Sequence, residues 1–278
     1  MLRVEQWPEL RQPVMVFAFT GWVDAGFAGS GTIAALGEAL GSARKFASID
    51  LSELLDLQQT RPTVRIADGG VRAIEWPTVE LWAGNAGRDV VIVHGPEPSL
   101  RWASFAAEIT DAAQRLGVTL GVSVGGMPVL ASHRHPVSVS ATATSRSFAQ
   151  ELGELRPDYT GPTGLNTVVQ YQLGQRGIPA FGLWAQVPQY VAGSPSPPAV
   201  RALLGRIREI AHLTVDLDPL DARCEEYTTR VEEGLSQRQD VAELVERLEA
   251  ATGDVPSGDE LVSEIERFLR SQPDQDEQ

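Results

Sequence analysis

Val14-Met15-Val16-Phe17-Ala18-Phe19-Thr20 is an almost unbroken apolar run behind Pro13, the pattern of a strand covered on both faces. It ends in the turn Gly21-Trp22-Val23-Asp24-Ala25-Gly26, after which small residues with Ile33, Leu36 and Leu40 predict a helix closing at Gly41. Residues 46–49 predict a second strand. Residues 63–66 and 71–76 flank Asp68-Gly69-Gly70, a hairpin pattern whose turn needs positive φ. Residues 90–93, Val-Val-Ile-Val, form the next buried strand. Gly95-Pro96-Glu97-Pro98 follows, then a helix over 99–116 with Ser99 as N-cap and Gly117 as its stop. Strands over 118–124, 137–143 and 180–185 and a helix over 165–173 complete the series. Strands alternating with helices at this spacing predict an α/β fold with a mixed, largely parallel sheet flanked by helices.

The pattern changes after Ser194-Pro195-Ser196-Pro197-Pro198. Val200, Leu203, Leu204, Ile207, Ile210 and Ala211 make the stripe of an amphipathic helix. It returns at Val241, Leu244, Val245 and Leu248, and again at Leu261, Val262, Ile265, Phe268 and Leu269. The chain therefore divides into an α/β body (1–198), a helical C-terminal part (199–270) and a frayed tail (271–278). The helical part is read either as a cap on the body or as a surface for a partner or a second copy.

Charge narrows the partners. The chain carries 23 basic and 37 acidic residues, net −14, which repels phosphate backbones and anionic lipid, so nucleic acid and membrane surfaces are not expected. Residues 201–278 hold 9 Arg and 20 Asp or Glu, net −11, so the acidity is concentrated on the C-terminal helices. Lys45 is the sole lysine, which fits a genome that favours Arg codons. A single cysteine, Cys224, excludes an internal disulfide and a multi-cysteine metal site, and it reads as an inert core thiol. The start of the chain lacks a cleavable apolar leader and no run approaches ~18 apolar residues, so the expected location is the cytoplasm.

Candidate chemistry gathers at the strand ends, where open α/β sheets bind ligands. Asp24, between a strand end and a helix start, suits an N-cap or a general base. Glu97, enclosed by prolines after a buried strand, suits a desolvated carboxyl, with Arg101 placed for an internal ion pair or a ligand and Trp102 beside it. His133 and His135 would face one side of an extended segment, but Arg134 between them opposes a cation, and no metal or other cofactor is expected. The glycines at 26–31 match neither the dinucleotide nor the P-loop pattern, and Gly-x-Ser-x-Gly is lacking.

Taken in order, Gly21-Trp22-x-Asp24-Ala25-Gly26, Gly95-Pro96-Glu97-Pro98-x-x-Arg101-Trp102, the turn from His133 to Pro136, Tyr159-x-Gly161-Pro162-x-Gly164 and Leu183-Trp184-Ala185-x-Val187-Pro188-x-Tyr190 resemble the proteasome assembly chaperone 2 family in its actinobacterial branch. The likeness covers roughly residues 12–250. It implies a phosphorylase/hydrolase-like α/β sandwich with a helical C-terminal part. It also implies a homo-oligomer, a trimer being one form, and protein partners that include proteasome components. Where the family pattern reads Pro-His-Thr-Arg-Pro and Val-Pro-His-Tyr, this chain has Ser132, Arg134, His135 and Gln189, so a mechanism needing that Arg or that second His does not carry over. The terminal Asp276-Glu277-Gln278 likewise differs from the hydrophobic-Tyr-x tail by which archaeal relatives engage proteasomes.

Two functions follow as expectations. The leading one is a non-enzymatic interaction or assembly-chaperone protein presenting Trp22, Asp24, Glu97, Arg101, Trp102, His133, His135, Trp184 and Tyr190 at the strand ends. The alternative is a small-molecule enzyme of nucleosidase- or hydrolase-like fold, with Asp24, Glu97 and Arg101 in a pocket and Trp102 or Trp184 as a stacking wall.

Overall fold

The computed structural model of the chain describes residues 2–145, 148–150 and 159–252. The strand patterns close into one eight-stranded sheet. Its strands are β1 (Leu2–Val4), β2 (Val14–Thr20), β3 (Arg44–Asp50), β6 (Thr78–Asn85), β7 (Asp89–Pro96), β8 (Leu120–Val129), β9 (Val139–Ala143) and β10 (Ala180–Pro188). The spatial order is β1-β3-β6-β7-β2-β8-β10-β9. The four central strands β7, β2, β8 and β10 are parallel, and the flanking pairs are antiparallel. The fold is thus mixed α/β with a parallel centre.

Alternation on β2 shows why its run is continuous. Val14, Val16 and Ala18 face a cluster formed with α1 (Ala28–Ala39) and α4 (Pro197–Ala211). Met15, Phe17 and Phe19 face the opposite cluster formed with α2 (Trp102–Arg115) and α3 (Leu165–Gln175). A strand buried on both sides cannot alternate apolar with polar.

The hairpin forms as a separate two-stranded ribbon, β4 (Thr63–Ala67) and β5 (Gly70–Glu75). Asp68 (φ 51°) and Gly69 (φ 71°) take the left-handed conformation required by a tight hairpin turn. Val64 lies opposite Ile74, and Ile66 opposite Val71.

Three features differ from the sequence reading. β1 and β6 are additional strands; β6 pairs with both β3 and β7 and buries Val79, Leu81 and Ala83. Helix α2 begins at Trp102, and its N-cap position is Arg101 in the left-handed conformation. Ser99 is not the cap: its hydroxyl accepts the Asp56 N–H at 2.9 Å and ties down the loop before α2.

Two compact units divide between Glu232 and Glu233. Helix α4 lies in the first, beyond the boundary expected at 198, with Ala199, Val200, Leu203, Leu204, Ile207 and Ala211 buried. Helix α5 (Asp218–Ser236) follows it, and α6 (Gln239–Thr252) carries the second amphipathic stripe. The third stripe, at 261–269, and the tail at 271–278 lie outside the described residues.

Candidate functional site: the strand-end edge

Parallel strands share a direction, so the segments following β7, β2, β8 and β10 emerge at one edge of the sheet. Trp22 and Asp24 follow β2, Glu97, Arg101 and Trp102 follow β7, His133 and His135 follow β8, and Tyr190 follows β10. Trp184 lies within β10.

The two carboxylates are occupied by backbone. Asp24 accepts the N–H groups of Gly29 (2.8 Å) and Ser30 (3.1 Å) and the Ser30 hydroxyl (2.7 Å), satisfying the first turn of α1. Its backbone also bridges to Gly126 on β8. A Cβ at Gly126 would stand 2.1 Å from the Ala25 carbonyl oxygen, so glycine is what lets the turn lie on the sheet. Glu97 accepts the Leu165 N–H at 2.5 Å, at the start of α3, and is also hydrogen-bonded by the Trp22 backbone. Burial pushes its carboxyl above the ordinary range, and the two N–H groups offset part of that. Among the described residues no ion pair joins Glu97 to Arg101. The loop is held by peptide groups.

The aromatic residues separate by depth. Trp22 is 60% exposed. Trp102 is half-buried, and its indole N–H donates to the Pro98 carbonyl. Trp184 is 2% exposed, donates to the Thr142 hydroxyl at 3.2 Å and packs over Gly125, so it supports the sheet from inside and offers no stacking face to solvent.

The segment 132–135 turns rather than extends, and the two histidines part: the His133 side chain is 1% exposed while His135 is at the surface. The Tyr190 hydroxyl accepts the His133 backbone N–H at 2.8 Å and lies 2.7 Å from its Nδ1. Nε2 stands 3.2 Å from Oε1 of Glu232 on α5, and Arg134 grips both Glu232 oxygens, at 2.7 and 2.9 Å. A phenol, an imidazole and a carboxylate in line have the form of a proton relay, yet this one runs into a bidentate Arg pair. Its structural effect is to clasp α5 to the turn after β8. Glu232 is the partner the sequence reading lacked, nearly a hundred residues from His133.

Cys224, on α5, is partly buried, and burial raises its thiol above the usual value, which fits an inert residue. Among the described residues no group of three or more His, Cys, Asp or Glu is placed to hold a metal ion.

Glu97 and Glu232 predict opposite pH slopes. The raised folded value of Glu97 contributes stability that is fully present below its unfolded value of about 4.3 and is lost as pH rises through the folded value. Glu232 is lowered, first by its hydrogen bond from Arg134, so its contribution is present above about 4.3 and is lost as pH falls through the folded value. Denaturant unfolding from about pH 3 to about pH 7 should show the stability difference between wild type and E97Q falling with pH, and that between wild type and E232Q rising. Slopes of the same sign would contradict these assignments.

The PAC2 family model matches residues 18–235, a stretch that contains all of these strand-end segments. The chain belongs to the PAC2 family. Among solved PAC2-like structures, the Mycobacterium tuberculosis proteasome-assembly chaperone homologue Rv2125 is 35% identical, with TM-score 0.77 over 84% of this chain and 99% of that one. A PAC2 family protein from Streptomyces avermitilis is 37% identical, with TM-score 0.76 over the same shares. The fold extends to PbaB, an archaeal proteasome activator from Pyrococcus furiosus, at 19% identity and TM-score 0.67, covering 84% of this chain and 97% of that one. No curated protein matches the chain. No helix among the described residues is long and apolar enough to cross a membrane.

Proposed function

We propose that this protein is a non-enzymatic, assembly-chaperone-like factor that works in the cytoplasm by binding other proteins at its strand-end edge. The observation that carries this reading is the division of labour at that edge. The carboxylates of Asp24 and Glu97 are committed to backbone N–H groups, while Trp22, Leu100 and Leu130 stand 60%, 55% and 71% exposed after adjacent strands β2, β7 and β8. General bases need free lone pairs near a substrate, whereas exposed large apolar side chains beside a rigid sheet suit a protein interface. Proteasome components are the partner class, in keeping with the relatives named as a proteasome-assembly chaperone homologue and a proteasome activator.

The same reading makes the protein a homo-oligomer, a trimer being one form. Val64, Ile66, Val71 and Ile74 on the β4–β5 ribbon, and Trp76 just after it, are each about half exposed or more. An isolated hairpin is at best marginally stable in water, so its apolar residues call for cover. Residues 61–76 carry Arg61, Arg65 and Arg72 against Asp68 and Glu75, a net positive ribbon on a chain of net −14, which fits a second copy of this chain as the cover.

Affinity capture from an extract of the cells that make the protein tests the strand-end surface. Wild type should retain proteasome subunits, and the double variant W22S/L130S, changed only at exposed positions, should lose them. Equal capture by both, or a wild type that retains no protein, would sink the proposal.

A further inference from the structure

A cavity of about 520 Å³ lies beside the C-terminal half of α1. Ile33, Leu40 and Ile92 supply its apolar lining, Trp82 an aromatic wall, and Glu38, Glu80 and His94 its polar groups. Glu80 and Trp82 on β6 lie directly opposite His94 and Ile92 on β7, so the sheet register brings all four together. The volume is within the usual range of small-molecule sites, about 300–1,000 Å³.

The glycines of α1 give a second, independent observation. A Cβ at Gly29 would meet the Val124 carbonyl oxygen at 2.7 Å, and one at Gly31 would meet Val200 at 2.7 Å, so close packing explains both. A Cβ at Gly37 would meet only the Ile92 Cδ1, at 4.0 Å. Glycine inside a helix costs about 0.5–1 kcal/mol relative to alanine. No neighbour demands it at position 37, and its missing side chain leaves the cavity open.

The lining selects the ligand's charge. His94 Nδ1 lies 2.9 Å from the Ala18 carbonyl oxygen, which can only accept, so Nδ1 is the donor of that bond. The Trp82 indole N–H is already spent on Glu80 at 3.1 Å. Lys45 and Arg223, which pair with Glu80 and Glu38 at 3.1 and 3.8 Å, are not among the lining residues. Glu80 already accepts from Lys45 through Oε1 and from Trp82 through Oε2, and Glu38 meets Arg223 through Oε2, so what the lining offers a ligand is the remaining lone pairs of these two carboxylates, beside an indole face that attracts cations. We propose that this cavity binds a small organic cation, a primary amine carried on a flat apolar body.

Isothermal titration of the full chain with phenethylamine, and in parallel with phenylacetate, tests this. Phenethylamine should bind saturably, and phenylacetate at least tenfold more weakly. G37L should weaken phenethylamine at least tenfold while keeping the helical signal and a cooperative melt. If G37L fails to fold, G41L fills the same cavity from outside the helix, at a position where a Cβ meets nothing within 4 Å. E80Q should also reduce the affinity. Absence of saturable binding, equal binding of phenylacetate, or unchanged affinity in a folded cavity-filling variant would each overturn the proposal.

Discussion

A chain ending after Gly193 should be insoluble, or soluble only as aggregate. It lacks α4, whose Ala199, Val200, Leu203, Leu204, Ile207 and Ala211 are buried in the cluster that covers one face of β2, β8 and β10. Fully burying one Leu, Ile or Val is worth about 1.5–3 kcal/mol. Val200, Leu203, Leu204 and Ile207 together therefore match the whole net stability of an ordinary domain, about 5–15 kcal/mol. The loss also uncovers Ile33 and Leu36 of α1 and Val187 of β10, a large apolar surface. The test is expression and thermal unfolding of the shortened chain. A soluble monomer with a cooperative melt would show that α4 is a separable arm rather than a layer of the body.

The ribbon predicts the second large effect. Light scattering on the full chain should give a multiple of the one-chain mass. Placing charges at facing positions with V64E/I74E should reduce it to one chain, because both sites lie on the exposed hairpin and outside the two core clusters. The melting temperature of the isolated body should change little, since surface substitutions usually shift stability by no more than about 0.5 kcal/mol. A wild type already monomeric, or a variant that keeps its full mass, would rule out the ribbon as the contact between copies.

Which parts of this fold are legible in the chain follows from the range of the forces involved. The runs at 14–20 and 90–93 announce themselves because strands buried on both faces must be apolar throughout. The hairpin is local too, since Asp68-Gly69 supplies the positive φ its turn needs. Strand β6 was missed although Val79, Leu81 and Ala83 alternate cleanly with Glu80 and Trp82; that period-two signal directly follows the hairpin and could have been found. Ser99 has the chemistry of a cap, but the Asp56 N–H of a neighbouring loop takes its hydroxyl.

The candidate site divides in the same way. Parallel topology was enough to bring Asp24, Glu97 and His133 to one edge, and Asp24 as a cap follows from its place before a helix. What Glu97 binds was not legible. The sequence offers Arg101 four residues away, whereas the fold delivers the N–H of Leu165, sixty-eight residues away. The clasp from His133 to Glu232 is longer still, and no local pattern marks it. Contacts made by tertiary packing between distant segments leave charge and hydrogen-bonding capacity visible in the sequence, but not the partner.

Hydrogen–deuterium exchange of the purified chain, alone and bound to the protein partner obtained by capture, tests the central claim most directly. Backbone amides in the segments after β2, β7 and β8, which carry Trp22, Leu100 and Leu130, should exchange more slowly in the complex. Protection confined to other surfaces, with these three segments unchanged, would contradict the assignment of the strand-end edge as the binding surface.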